Sequence, residues 1–277
     1  QAYIKAANAD NIDRFGMMIS LSGDTLAVGV EEEDSSSTTT INGNTASDDN
    51  SENSAGAVYI YKRSGNNWSQ EAYIKAANAY GGQKFGNSVS LDTDTLAIGA
   101  VGDTYKQTFI TNGTGVPTTR ENGYGAVFVY KRTGSNWAQE AYLKTPTEVH
   151  YSLGVAVSLD NNTLAAGAAG DYSDQQTISI GASTATNKNL TNPAGAVYIF
   201  SRSSVKWSQH AYIKSSNPDE YDLFGGNGGD GIAVYENTVV VGAIGEDSNQ
   251  TTITNGETSS SNNGSTYSGA VYVYVSE

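Results

Sequence analysis

Short apolar runs separated by polar turns recur along the whole chain. Within one stretch, residues 85–91 and 137–144 alternate between apolar and polar side chains, whereas residues 95–100 and 125–130 are almost continuously apolar. Alternation is typical of a half-buried β-strand, and a short apolar run bounded by turns favours a strand that is covered on both faces. Because no segment shows the period of a helix, the pattern predicts an all-β protein.

This stretch belongs to a unit that occurs four times. A Gly-Ala-Val-aromatic sequence recurs at intervals of about 70 residues, and such a period is typical of repeat architectures. Each unit is predicted to form one four-stranded antiparallel blade of a β-propeller. The four copies start at Gly56, Gly125, Gly195 and Gly269. We expect a single domain over residues 1–277, with repeats at about 6–75, 76–144, 145–214 and 215–277.

The first residues of the chain complete this prediction. Residues 1–5 closely match residues 71–75, which form a predicted fourth strand, and the fourth repeat lacks a fourth strand of its own. We therefore expect a four-bladed propeller whose ring is closed by the N-terminal strand pairing into the last blade, since closure removes open sheet edges. The alternative is an arc of a larger ring, in which two chains pair into an eight-bladed assembly.

Composition restricts the function. Asp and Glu number 29 against 15 Lys and Arg, which gives a formal net charge of −14 and argues against nucleic acid or anionic lipid as partner. The chain has no cysteine, so disulfides, thiolate metal sites and a thiol nucleophile are excluded. No apolar run is long enough for a membrane span. The two histidines show no catalytic spacing, and we expect a protein that is not an enzyme.

The repeated motifs resemble the FG-GAP repeats of integrin-α-type β-propellers, in their bacterial extracellular version. Phe-Gly starts the first strand of the first two repeats, and Leu-Gly takes its place in the third. The resemblance implies an extracellular or cell-surface adhesion module. The calcium loop common in that family is not matched, since only short turns stand between the first and second strands. The motif residues are Phe15, Gly16, Phe85, Gly86, Leu153 and Gly154, followed in the second strands by Gly29, Gly99, Gly167 and Gly242.

Acidic residues open each long loop between the second and third strands. Loops of this length tend to be functional, and carboxylates together with loop carbonyls suit Ca²⁺. The sequence therefore predicts calcium as a cofactor, with capping of turns or simple exposure as the alternative for these acids. The predicted metal ligands are Glu33, Asp34, Asp103, Asp171, Glu246 and Asp247.

Tyrosines in loops are candidate ligand-binding residues, because tyrosines at repeated strand positions are expected to pack between blades. The candidates are Tyr105, Tyr172, Tyr221 and Tyr267. We expect a binding or adhesion module that presents its loops to a protein or glycan partner on a cell surface or matrix. It would be a monomeric ring or a part of a larger surface protein. Two alternatives are a glycan-binding lectin domain and a structural subunit of a surface layer or filament.

Overall fold

The computed structural model describes residues 2–121, 125–146, 151–182, 189–228, 230–256 and 258–276. Within these ranges every regular element is a β-strand, and no helix is long and apolar enough to cross a membrane. The strands form four antiparallel sheets, three with five strands and one with three. The predicted all-β class is thereby confirmed. We call the sheets blades 1 to 4 in chain order.

Blades 1 to 3 share one topology, a four-stranded meander to which the long loop adds a short outer strand. Blade 1 contains β1 (Met18–Ser22), β2 (Thr25–Val30), β3 (Ile41–Asn42), β4 (Ala57–Ser64) and β5 (Asn67–Ile74). Blade 2 contains β6 (Phe85–Asp92), β7 (Thr95–Ala100), β8 (Thr111–Asn112), β9 (Ala126–Thr133) and β10 (Asn136–Leu143). Blade 3 contains β11 (Tyr151–Asp160), β12 (Thr163–Gly170), β13 (Ser179–Ile180), β14 (Ala196–Ser203) and β15 (Lys206–Ile213). Blade 4 contains β16 (Ile232–Tyr235), β17 (Thr238–Ala243) and β18 (Ala270–Val275).

The short turns predicted between the first and second strands are present in every blade. In blade 2, Asp92 pairs with Thr95, so the chain reverses through only two residues. The first turn residue adopts a left-handed backbone, as tight hairpins require. Its φ is 56° at Gly23, 55° at Thr93, 54° at Asn161 and 52° at Glu236. These turns are too short to wrap a cation.

Successive blades are joined by the Phe-Gly motif. Phe85 is fully buried, and its backbone oxygen lies 2.1 Å from the position of a Cβ on Gly56 in blade 1. The oxygen of Gly86 lies 2.2 Å from the corresponding position on Gly29. Any side chain at either glycine would therefore separate the blades. The same arrangement recurs with Gly99 and Gly125 against Leu153 and Gly154, and with Gly167 and Gly195 against Phe224 and Gly225.

Three of the four buried hydrophobic clusters among the described residues lie between neighbouring blades, and the fourth lies on blade 1. Val58 and Ile60 of blade 1, for example, pack in one buried cluster with Phe85 and Phe128 of blade 2. Two further clusters join blade 2 to blade 3 and blade 3 to blade 4. Each blade is thus stabilised mainly by its neighbours, as expected for repeat proteins.

The predicted closure of the ring is wrong. Residues 2–5 form no strand, and within the described residues β18 has a paired neighbour on one side only, β17. The N-terminal segment instead lies on blade 1, where Ile4 packs against the blade's buried cluster and the hydroxyl of Tyr61 donates to the oxygen of Lys5 at 3.0 Å. The blades therefore form an open, propeller-like arc, and blade 4 has three strands instead of the predicted four.

Candidate functional site

The long loops after β2, β7, β12 and β17 all leave their sheets at the same end, because the corresponding strands of each blade run in the same direction. We call this end the loop face. It also carries the turns that lead into β1, β6, β11 and β16. The short hairpin turns lie at the opposite end. The acids and tyrosines predicted as functional therefore lie on one side of the arc.

A buried ion pair anchors the loop of blade 1. The carboxylate of Glu33 lies 2.7 Å from the Nζ atom of Lys75, and both side chains are fully buried. The hydroxyl of Tyr73 donates to the same carboxylate at 2.6 Å, and the amide of Ser35 donates at 3.2 Å. Tyr73 and Lys75 stand at the end of the fourth strand, so this cluster ties the start of the loop to the outer part of the sheet.

The same arrangement, which we call the acid clamp, recurs in the next two blades. It consists of one buried acid at the start of the loop and a tyrosine and lysine two residues apart at the end of the fourth strand. In blade 2 Asp103 accepts from Tyr142 at 2.8 Å and pairs with Lys144 at 2.9 Å. In blade 3 Asp171 accepts from Tyr212 at 3.0 Å and pairs with Lys214 at 3.5 Å.

Burial controls the protonation of the clamps. It lowers the pKa of Lys144, while the neighbouring carboxylate of Asp103 opposes that shift. Burial, and then the same carboxylate, raise the pKa of Tyr142 well above its usual value, so the phenol stays protonated as a hydrogen-bond donor. The lysines and tyrosines of the other two clamps shift in the same directions. A buried carboxylate with these partners is fully satisfied and holds the loop in place.

Blade 4 has the buried acid of the clamp, but among the described residues no lysine or tyrosine hydroxyl binds it. Glu246 occupies the position of Glu33 and is only 5% exposed. It accepts hydrogen bonds from Asn217 Nδ2 at 3.1 Å and from the amide of Ser248 at 3.0 Å, but no lysine among the described residues pairs with it. Burial, with contributions from Glu246 and other nearby acids, raises the pKa of neighbouring Asp222 to about 7. Asp222 therefore keeps its proton in the folded state up to about pH 7.

The six predicted metal ligands are not brought together. Glu33, Asp103 and Asp171 direct their oxygens at lysine and tyrosine in three separate blades. Asp34 accepts a hydrogen bond from the amide of Ser54 at 2.7 Å, and Asp247 accepts one from the amide of Tyr267 at 2.6 Å. Across the described ranges, no group of three or more Asp, Glu, His or Cys side chains could hold a metal ion. Calcium binding stays a prediction.

The four candidate tyrosines differ in exposure. Tyr105 is buried and packs edge-on against Tyr80, with ring centroids 5.4 Å apart, and Tyr172 is half-buried. Tyr221 and Tyr267 are exposed and lie beside the same segment of blade 4. The amide of Gly245 donates to the backbone oxygen of Asp222, the residue after Tyr221, and the amide of Tyr267 donates to the carboxylate of Asp247. Only these two have side chains available to a partner.

A cavity of about 300 Å³ opens on the loop face and was not predicted from the sequence. All four blades contribute to its lining, which includes Met17, Glu31, Lys84, Asn87, Ser152 and Asn227. The residue before the Phe-Gly position has a left-handed backbone in every blade, with φ of 57° at Arg14, 57° at Lys84, 72° at Ser152 and 54° at Leu223. Strained backbone of this kind is common at binding sites. The basic residues that precede Phe-Gly in two repeats were the one sequence signal for this cavity.

Comparison with known families supports the motif assignment. The family described as FG-GAP repeat matches residues 68–114, which run from β5 of blade 1 to just past β8 of blade 2. This segment contains the Phe85-Gly86 junction and the glycine of β7 that belongs to the following junction. The resemblance to FG-GAP repeats is thereby confirmed. None of the curated proteins compared with the chain matches it. FG-GAP repeats are associated with integrin-like extracellular binding modules.

Proposed function

We propose that the chain is an extracellular binding module that holds a protein or glycan partner on its loop face. The FG-GAP match supports the general role, because such repeats are associated with binding modules and are typically extracellular. The loops support the location. They come from all four blades and lie on one end of the arc, which also carries a cavity of about 300 Å³ that Glu31 and Val101, the first residues of two of these loops, help to line.

Pre-organisation of the loops favours binding. A long loop that is disordered in the unbound protein has to be ordered when a partner binds, which weakens the affinity. In blades 1 to 3 the acid clamp fixes the start of the loop, and the two-residue outer strand fixes its middle, as Ile41 does by pairing with Tyr73. In blades 1 to 3 the surface offered to a partner is therefore largely formed in advance.

The observation that carries the proposal is the pair of exposed tyrosines in blade 4. Both have a left-handed backbone, with φ of 72° at Tyr221 and 57° at Tyr267. Hydrogen bonds hold each one: the amide of Tyr221 donates to the oxygen of Pro193 at 2.8 Å, and the amide of Tyr267 donates to Asp247 at 2.6 Å. Exposed tyrosines on fixed backbone are typical contact residues at binding surfaces.

A binding experiment tests this role. The chain is applied to a glycan array and to immobilised matrix and cell-surface proteins, and the retained fraction is compared with that of the double variant Tyr221→Ala and Tyr267→Ala. We expect the double variant to lose at least tenfold in affinity, because tyrosines at the centre of an interface each contribute about 2 kcal/mol. Tyr235→Ala is the matched control, since Tyr235 is exposed in the same blade but at the opposite end. Equal loss in both variants, or retention unchanged in the double variant, would contradict the proposal.

One observation favours a glycan as the partner. Amide and carboxylate groups suited to sugar hydroxyls lie in the two segments that carry Tyr221 and Tyr267. The side chain of Asn263 donates to Asp219 at 3.2 Å, and Asn262 accepts a hydrogen bond from the amide of Gly264 at 2.7 Å, both at exposed positions. Aromatic faces with adjacent polar groups are typical of carbohydrate sites. Binding on the glycan array without binding to deglycosylated surface proteins would select this partner class.

A further inference from the structure

A glycine-rich segment at the entry of blade 4 has no counterpart in blade 2. Residues 225–231 have the sequence Gly-Gly-Asn-Gly-Gly-Asp-Gly. In blade 2, Leu91 follows Phe85 by six positions, whereas in blade 4 the equivalent residue, Val234, follows Phe224 by ten. The entry of blade 4 is therefore four residues longer. We call residues 226–230 the glycine loop, of which residue 229 lies outside the described residues.

The backbone closes the glycine loop at its base and leaves Asn227 exposed. A Cβ on Gly226 would lie 2.1 Å from the oxygen of Asp230, so the two backbone segments are in contact. Left-handed φ of 98° at Gly226 and 90° at Gly228 bend the chain on both sides of Asn227. Glycine suits these two positions because it adopts a positive φ without steric cost.

No hydrogen bond restrains the Asn227-Gly228 pair. Among the described residues, the side-chain amide of Asn227 has no partner, and the backbone amide of Gly228 donates to none. Both residues are exposed, and a Cβ on Gly228 would meet nothing within 4 Å. An exposed loop of small residues samples many backbone conformations, because few contacts oppose the motion. The nitrogen of Gly228 can therefore approach the side-chain carbonyl carbon of Asn227.

We propose that Asn227 is a site of spontaneous deamidation in the folded protein. The backbone nitrogen of Gly228 attacks Cγ of Asn227, and the side-chain nitrogen leaves as ammonia, which carries away the proton of the attacking amide. The product is a succinimide ring. One water molecule then opens either carbonyl of the ring and leaves aspartate or isoaspartate. The net reaction consumes one water and releases one ammonia, without an oxidant or a cofactor. This inference goes beyond the proposed function and does not depend on it.

The Asn42-Gly43 pair of blade 1 has the same sequence but is held in place. The amide of Gly43 donates to the oxygen of Glu71 at 2.7 Å. The side chain of Asn42 accepts from the amide of Trp137 at 2.7 Å and donates to the oxygen of the same residue at 3.3 Å. Both the attacking nitrogen and the attacked amide are therefore engaged, and the reaction has to wait for local opening of the structure.

The Asn112-Gly113 pair of blade 2 is protected in the same way. The amide of Gly113 donates to the oxygen of Glu140 at 2.6 Å. The side chain of Asn112 accepts from the amide of Trp207 at 2.7 Å and donates to its oxygen at 3.1 Å. The chain thus contains two protected Asn-Gly pairs that serve as internal controls for Asn227.

Deamidation of Asn227 changes the charge of the cavity on the loop face. Asn227 lines this cavity together with Lys84 and Glu31. The Nζ atom of Lys84 lies 3.9 Å from the carboxylate of Glu31, and its side chain is 40% exposed. The reaction replaces a neutral amide by a carboxylate, so the cavity gains one negative charge. We expect the modified protein to bind cationic groups at the cavity more tightly and anionic groups less tightly.

Peptide mapping measures the reaction at each site. The purified chain is incubated in mildly alkaline buffer, digested and analysed by mass spectrometry, which distinguishes asparagine from aspartate and isoaspartate. In the folded protein, Asn227 should convert at least about tenfold faster than Asn42 and Asn112, because the protected pairs react only after local opening. In urea the three sites should convert at similar rates. A folded chain in which Asn227 converts no faster than Asn42 and Asn112 overturns the proposal.

Isoelectric focusing follows the charge that the reaction adds. The incubated wild-type chain should accumulate acidic species, and Asn227→Gln should slow their formation, because the longer side chain closes the corresponding ring far more slowly. Asn66→Gln is the matched control, since Asn66 is exposed in the hairpin turn between β4 and β5 and is followed by asparagine instead of glycine. If Asn227→Gln forms acidic species as fast as the wild type, the assigned site is wrong.

Thermal melts test whether Asn227 is unrestrained. Asn227→Asp reproduces one product of the reaction and should focus with the first acidic species of the incubated wild type. It should melt no lower than Asn66→Asp, which adds the same charge at another exposed position, because the side chain of Asn227 has no hydrogen bond to lose. A clearly lower melting temperature for Asn227→Asp would mean that the folded protein restrains Asn227, and this result overturns the proposal.

Discussion

Replacement of Lys144 by methionine removes the cation of the acid clamp in blade 2 and preserves most of the side-chain volume. Asp103 is fully buried and keeps hydrogen bonds from Tyr142, from Gln83 and from the amide of Tyr105. A buried charge that loses its partner typically costs about 3 to 5 kcal/mol. The remaining hydrogen bonds place the cost at the lower end of that range. Lys144 also donates to the oxygen of Gly125 at 2.7 Å, which adds about 1 kcal/mol. We expect a loss of about 4 kcal/mol in the free energy of unfolding.

Urea denaturation followed by tryptophan fluorescence measures this loss, because Trp137 is buried at the adjacent junction. Arg63→Met is the control. Arg63 pairs with Asp24 at 2.5 Å, but both side chains are about half exposed, and such pairs contribute at most about 1 kcal/mol. Adding Asp103→Leu to Lys144→Met should recover part of the stability, since no charge is then buried. A cost of Lys144→Met below about 1 kcal/mol, or equal to that of the control, would refute the reasoning.

The remaining predictions concern a junction, a titration and a cation. Gly125→Ala should destabilise the protein by several times as much as Gly134→Ala. Both glycines have a left-handed backbone, with φ of 71° and 65°, but only at Gly125 does a backbone oxygen lie 2.3 Å from the added Cβ. Equal shifts of the melting temperature in the two variants would contradict this. Asp222 keeps its proton in the folded state up to its pKa of about 7, so its contribution to stability is complete below about pH 4 and is lost as the pH rises to about 7. Asp222→Asn should remove this dependence, which is at most about 4 kcal/mol, and an unchanged pH profile in urea denaturation would argue against it. Calcium bound by the loops should raise the melting temperature, with the rise lost in the double variant Asp34→Ala and Asp247→Ala; a melting temperature insensitive to chelator would exclude the site.

The strands and their order could be predicted from the sequence, but the closure of the ring could not. The repeats define which residues meet at a junction, such as Phe85 and Gly56, because the same residue types recur in each copy. They do not define which two blades meet. Residues 1–5 match residues 71–75, and this match identifies them as the end of a fourth strand. The match does not identify which blade edge they complete, and in the structure Ile4 and Lys5 contact blade 1.

The clamps were only half predicted. The sequence places Glu33 at the start of a long loop, but it does not show that Lys75 is buried beside it. The recurrence of tyrosine and lysine two residues apart, once for every loop acid, was the signal that could have revealed the pairs. The cavity gave a weaker signal, because its lining comes from four segments that are far apart in the sequence. No single repeat contains enough of it to be recognised.

The acid clamps also determine which part of the protein opens first. In a protein whose units are stabilised by their neighbours, local unfolding begins where the stabilising contacts are fewest. Among the described residues Glu246 of blade 4 pairs with no lysine and β18 is paired on one side only, so the amides of β18 and of its loop should exchange hydrogen faster than those of blades 2 and 3. The two exposed tyrosines, Tyr221 and Tyr267, lie in this part of the chain. A partner that binds at these tyrosines should therefore also slow the hydrogen exchange of the blade 4 amides.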